Sequence, residues 1–164
     1  MASVGDAMWV ACFAGHAREV RRLLSGGADI DCADETGTTA LAAASQNGRV
    51  EIVDMLLAAE ANANAANDGG GTPLYYASRK GFLVIVQRLL ASGADAHAVN
   101  NEGCTSMMAA SHQGHCQVVQ CLLSFGAKVD AATHDGATAL FMACQCGHFK
   151  VVKTLLSAGA AVNV

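Results

Sequence analysis

Thr72-Pro73-Leu74-Tyr75-Tyr76-Ala77-Ser78-Arg79-Lys80-Gly81 decides how this chain folds. Thr72 suits an N-cap, and Pro73 suits the first helical position, where a missing N–H has no partner to lose. Leu74, Ala77 and Ser78 fall at helical spacing on one small, apolar stripe, and Gly81 breaks the run with a tight turn. A second helix follows. Leu83, Ile85, Val86, Leu89 and Leu90 lie along its buried side at steps of three and four, and Gly93 supplies the left-handed residue that ends it. Ala94 to Gly103 is polar, carries a turn signal and reads as a projecting loop or hairpin.

The unit recurs without insertion. Thr39-Ala40-Leu41, Thr72-Pro73-Leu74, Thr105-Ser106-Met107 and Thr138-Ala139-Leu140 follow one another at 33 residues. Gly15, Gly48, Gly81, Gly114 and Gly147 keep the same beat, as do the leucine pairs from Leu23-Leu24 to Leu155-Leu156. A small residue at Ala11, Ala44, Ala77, Ala110 and Ala143 lets adjacent helices approach to the short end of the ~8–10 Å range. One helix pair cannot cover its own apolar faces, so the copies must stack. The expected fold is all-α: a single domain over 1–164, in copies near 1–33, 34–66, 67–99, 100–132 and 133–164.

Composition narrows the function. Apolar residues make up 52% and charged ones 15%, which fits small helices packed closely. No apolar run reaches the roughly 18 residues that span a bilayer. Ala7 to Gly15 is preceded by Asp6 and lies in phase with the first copy, so it reads as a helix, not as a targeting segment. A formal charge of -4 argues against nonspecific nucleic-acid binding, which needs a basic footprint. The seven cysteines are odd in number and follow the repeat, which suggests a reducing compartment. The expected location is cytoplasmic, with the nucleus left open.

The pattern resembles the ankyrin repeat. The match is carried by Gly-x-Thr-Pro-Leu (Gly70 to Leu74), by the Ala-x-x-x-Gly-His segments (Ala11 to His16, Ala110 to His115, Ala143 to His148), and by Val-Val-x-x-Leu-Leu with Gly-Ala behind it (Val118 to Ala127, Val151 to Ala160). It extends over essentially the whole chain. The resemblance implies a solenoid of helix-turn-helix units joined by β-hairpin-like loops, with no enzymatic activity and no cofactor. It also implies a protein or peptide partner held in a concave groove.

The family's usual contact places fall on hairpin tips and on the exposed ends of the first helices. They are Phe13 in the first copy; Glu35, Thr36, Thr38, Gln46 and Asn47 in the second; and Asp68, Gly69, Gly71, Arg79 and Lys80 in the third, with Tyr75 as a further anchor. The fourth gives Asn101, Glu102, Cys104, His112 and Gln113, and the fifth His134, Asp135, Ala137, Gln145 and Cys146. The copies differ most at these places. Arg79 and Lys80, on a wall flanked by polar residues, point to a partner segment bearing acidic groups. Tyr76 reads as core, because its place holds Val10, Ala43, Ala109 and Met142 elsewhere.

Two departures from the pattern carry expectations. Glu60 stands where the helix-ending glycine belongs, at a left-handed cost of roughly 1–2 kcal/mol that predicts a locally strained or reshaped hairpin over Glu60 to Asn64. The histidine usual after the proline-leucine pair is replaced by Trp9, Ala42, Tyr75, Met108 and Phe141, which makes the inner face less polar.

Cys144-x-Cys146-x-His148 has the wrong spacing for a zinc knuckle. By the repeat register, Cys12 and Cys144 share a buried place, His16, His115 and His148 start the second helices, and Cys146 faces the groove. No metal site is expected. A Cys146/His112 nucleophilic pair lacks a group to orient the histidine, so no catalytic residue is assigned.

The two ends differ. Glu19 occupies the place of Ile52, Ile85, Val118 and Val151, as a solvated end cap does, whereas Phe149, Val151 and Val152 stay apolar in the last copy. Either the chain is the N-terminal piece of a longer array, or the apolar end is buried by another molecule, with self-association through the C-terminal repeat as the direct version.

Overall fold

In the computed structural model, which describes residues 4–162, ten helices form five antiparallel pairs. They are α1 (Val4–Ala14) with α2 (Ala17–Ser25), α3 (Ala40–Gln46) with α4 (Val50–Ala58), α5 (Pro73–Lys80) with α6 (Leu83–Ala91), α7 (Ser106–His112) with α8 (Cys116–Ser124), and α9 (Ala139–Gln145) with α10 (Phe149–Ser157). Odd-numbered helices stack on one another as an inner row, even-numbered helices as an outer row. Each pair touches only its neighbours, so stability is carried from unit to unit.

Local chemistry sets the helix ends. The hydroxyls of Thr39, Thr72, Thr105 and Thr138 accept the N–H three residues on, at 3.2–3.3 Å. At Thr105 the cap is reciprocal, for the Met108 thioether accepts the Thr105 N–H at 3.4 Å. Leu56, Leu89, Leu122 and Leu155 form a fully buried column beside Val20, Val53, Val86 and Val119. Truncating one such leucine costs about 2–5 kcal/mol.

Three families of bonds tie unit to unit. At the hairpin tips, the N–H groups of Asp68, Asn101 and His134 donate to the carbonyls of Thr36, Gly69 and Glu102 at 3.0–3.1 Å. On the inner row, His115 and His148 each lay the imidazole where a Cβ on Gly81 or Gly114 would stand. Their Nε2–H groups donate to the carbonyls of Arg79 (3.2 Å) and His112 (2.9 Å). Beyond the second helices, Asp31 accepts the Asn62 N–H (2.9 Å), Asn64 accepts the Asp95 N–H (2.7 Å), and Asp130 accepts the Ala161 N–H (2.8 Å). His97 holds the matching place between the third and fourth units, and among the described residues the Lys128 N–H finds no acceptor there.

The hairpins are tight turns with isolated bridges at Ala33–Thr39, Val99–Thr105 and Ala132–Thr138. Glu60 takes a left-handed φ of 67°, as expected. Of the two expected outcomes, strain or a reshaped hairpin, the structure shows the first: the Ala61 N–H donates to Leu56 as Ala94 does to Leu89, and Ala61 is buried like Ala94. The strain is absorbed at one residue because the methyl of Ala61 is already seated in the core.

Cys144 corrects an expectation. Cys12, in the same register, is buried, but Cys144 is exposed. That place faces the next unit, and among the described residues no further helix stacks on the side of α9 away from α7. Phe141 is 55% exposed, whereas its counterpart Met108 is 0% exposed. Phe149 at 85% and Leu156 at 45% extend the same apolar end. At the other end Glu19 pairs with Arg22 at 2.6 Å.

Candidate binding groove

Between the hairpins and the inner helices lies a groove of about 490 Å³, centred on the junction of the third and fourth units. Tyr75, Tyr76 and Arg79 of α5 form one wall, and His112, Gln113 and Ala109 face them from the next unit. Gly69, Gly71, Asn100, Glu102 and Cys104 supply the hairpin side, and Met142 closes one end.

The tips are held by one acceptor per hairpin. Asp34 Oδ1 takes the N–H groups of Thr36 and Thr38, both at 2.9 Å. Asn67 does the same for Gly69 and Gly71, and Asn100 for Glu102 and Cys104. Thr133 substitutes a hydroxyl, accepting from Ala137 N–H at 2.9 Å and donating to Asp135. Desolvation works against the Asp34 charge, but the Thr36 hydroxyl and the amides of Thr38 and Thr36 outweigh it and lower its pKa. The Thr133 hydroxyl, more than any other contact, lowers that of Asp135.

Cys104 forms the floor. Burial, then the Glu102 charge, raises its pKa, so it stays a neutral thiol at physiological pH. Burial does most to raise that of Tyr75 as well, so the phenol stays protonated. Arg79 and Lys80 are exposed at the end of α5, and among the described residues neither forms an ion pair.

The sequence-expected contacts divide by what they already hold. Tyr75, Arg79, Glu102, Cys104, His112 and Gln113 meet in the groove, with Gly69 and Gly71. Asn101, Glu102, Cys104, His134, Asp135 and Ala137 line a neighbouring hollow of about 440 Å³. Glu35 lines a third hollow with Trp9 and Val10, and Phe13 stacks on Trp9. Thr36, Asp68 and Lys80 are exposed beside these hollows without lining them.

Thr38 is buried, at 8% exposure: its hydroxyl meets Thr36 and Asn67, and its carbonyl accepts the Trp9 Nε1–H at 2.7 Å. It is a bolt between units, a correction to its reading as a contact. Asn47 spends its amide on the Ala43 carbonyl at 2.8 Å, and Gln46 beside it is half-buried. Gln145 and Cys146 are exposed at the end of α9, and neither lines the central groove.

Tyr76 corrects the core reading. It is half-buried, its ring lines the groove, and its hydroxyl accepts from Asn67 Nδ2 at 2.7 Å. A Cβ on Gly71 would come within 2.6 Å of that hydroxyl, so Gly71 and Tyr76 go together. The other copies put Thr38, Cys104 and Ala137 opposite Ala43, Ala109 and Met142. That coupled exchange is the signal in the sequence that marks Tyr76.

A family profile described as ankyrin repeats (three copies) matches the chain twice, over residues 7–100 and 79–164. Together the two matches run from the first described turn to the last, and this protein belongs to the ankyrin-repeat family. No curated protein matches the chain. The family generally serves protein–protein interaction. Among the described residues no helix is long and apolar enough to cross a membrane.

Proposed function

We propose that this protein is a non-enzymatic interaction module, and that its partner segment lies in the central groove with an acidic group over Arg79 and Lys80. The observation that carries this reading is a polar groove whose two adjacent cations have no carboxylate partner among the described residues, beside the aromatic anchors Tyr75 and Tyr76. Aromatic and arginine side chains are the types that dominate binding hot spots. The groove is open and its thiol neutral, which suits recognition of a chain better than chemistry on a small molecule. Random peptides displayed on phage, selected on the full chain, should converge on acidic sequences. The Arg79→Glu/Lys80→Glu variant should bind the selected peptides more than tenfold more weakly; retained affinity removes both residues from the site.

The exposed Phe141, Phe149 and Leu156 support a second reading, in which the C-terminal face joins a larger assembly, either with a second copy or with further repeats. Light scattering separates the forms: a strictly monomeric chain at all concentrations removes self-association. We also place the protein in a reducing compartment, cytosol or nucleus, on the strength of its seven cysteines, an odd number whose spacing follows the repeat. Cell fractionation tests this, and recovery from an oxidising compartment overturns it.

A further inference from the structure

The hollow at the N-terminal end of the inner row has a different chemistry from the central groove. Its volume is about 370 Å³, and Trp9, Val10, Ala33, Asp34 and Glu35 line it. Trp9 and Phe13 stack with centroids 5.2 Å apart and planes at 14°. Phe13 is 47% and Val10 55% exposed, although both lie on a helix whose other face is in the core. The Trp9 Nε1–H is fixed on the Thr38 carbonyl at 2.7 Å, so the indole is held in one place. Beside this aromatic surface stand two acidic side chains. Asp34 keeps its charge because the Thr36 and Thr38 donors converge on it. Glu35 is exposed, and among the described residues it has no cation paired with it.

A fixed aromatic face with an unpaired carboxylate at its rim is complementary to a planar cation. A guanidinium both stacks on aromatic rings and takes a carboxylate in bidentate fashion, which an ammonium does not do. We propose that this hollow is a subsite for an arginine side chain of the partner segment, with the arginine's neighbour covering Val10. The proposal rests on the groove reading above and deepens it by giving the bound chain a second anchor of opposite charge. The two sites are about two repeats apart, roughly 16–20 Å at the usual helix spacing. An extended segment advances about 3.3 Å per residue, so its arginine stands about six residues from its acidic group.

Trp9 is the sole tryptophan, so its emission reports on this hollow alone. The full chain is titrated with acetyl-Leu-Arg-amide and with the neutral isostere acetyl-Leu-citrulline-amide. Saturable quenching is expected from the arginine probe, with affinity at least about fivefold above that of the citrulline probe. Glu35→Gln should abolish the difference, and Phe13→Ala should weaken the arginine probe by a similar factor. Arg79→Glu/Lys80→Glu should leave this titration unchanged, so a failure of the acidic-partner reading is distinguishable from a failure here. Equal affinity for the two probes, no response of Trp9, or full discrimination by Glu35→Gln overturns the proposal.

Discussion

Glu60 is the only non-glycine residue with a positive φ among those described, and it sits where four other units end a helix with glycine. Its side chain is exposed, so replacing it removes no packing. Glu60→Gly should stabilise the chain by about 1 kcal/mol, which is roughly 2–4 °C in Tm for a chain of this length. Calorimetry checks this, and an unchanged or lower Tm refutes the strain. The position was legible in the sequence because a periodic chain makes one missing glycine conspicuous. The fate of the strain was not, because it depends on how Ala61 is packed.

Asp34 gives a second prediction at this scale. Its pKa is lowered from 3.8 in the folded chain. A depressed carboxylate adds stability above its unfolded value, and that stability is lost as pH falls through the folded one. Asp34→Asn keeps the acceptor for Thr36 and Thr38 but does not titrate, and Asn67 and Asn100 already fill this role in sister hairpins. The variant should therefore lose less stability than the wild type between about pH 5 and about pH 3, as urea midpoints will show.

Elements are shaped by what stacks on them. Ser45, Ser78 and Ser111 occupy the register of Cys12, and their hydroxyls are buried without a hydrogen-bond partner among the described residues. An unsatisfied buried hydroxyl costs about 1–3 kcal/mol. Ser78→Ala should leave the melting temperature equal or higher, and a fall would reveal a bond to water. Cys144 shares that register yet is exposed, because α9 has no helix beyond it among the described residues. Burial, and then the neighbouring Cys32, raises the Cys12 thiol to about 12. Iodoacetamide followed by mass mapping should modify Cys144 and Cys146 first and leave Cys12 last. Helix periodicity showed which face each helix buries, and the missing polar cap marked the last unit as uncovered, but Cys144 was still read by its register as buried.

For the molecule as a whole, the sequence made the architecture plain because each unit repeats the same local chemistry: a threonine cap, a small residue at the close approach and a paired leucine. The groove was only half legible. Its cations and tips stood out as places where the copies diverge, whereas Tyr76 and the Trp9–Phe13 stack depend on pairs of residues in different elements. Thr38 was misread because its partners come from the units on both sides of it, Trp9 before and Asn67 after.

Whole-molecule stability should depend on the junction at which His97 stands in for an aspartate or asparagine. His97→Asn should restore an acceptor for the Lys128 N–H and add about 1 kcal/mol. A matching rise in the urea midpoint checks this, and no change means that the backbone there is already satisfied.

That same junction runs beneath the central groove. Tyr75 and Arg79 stand on one side of it, and Cys104 and His112 on the other. Anything lodged in the groove therefore acts as a rivet across a joint that lacks, among the described residues, one of its outer bonds. Occupancy and mechanical integrity are two readings of one quantity: a chain pulled from its ends would part here at a higher force when the groove is filled than when it is empty.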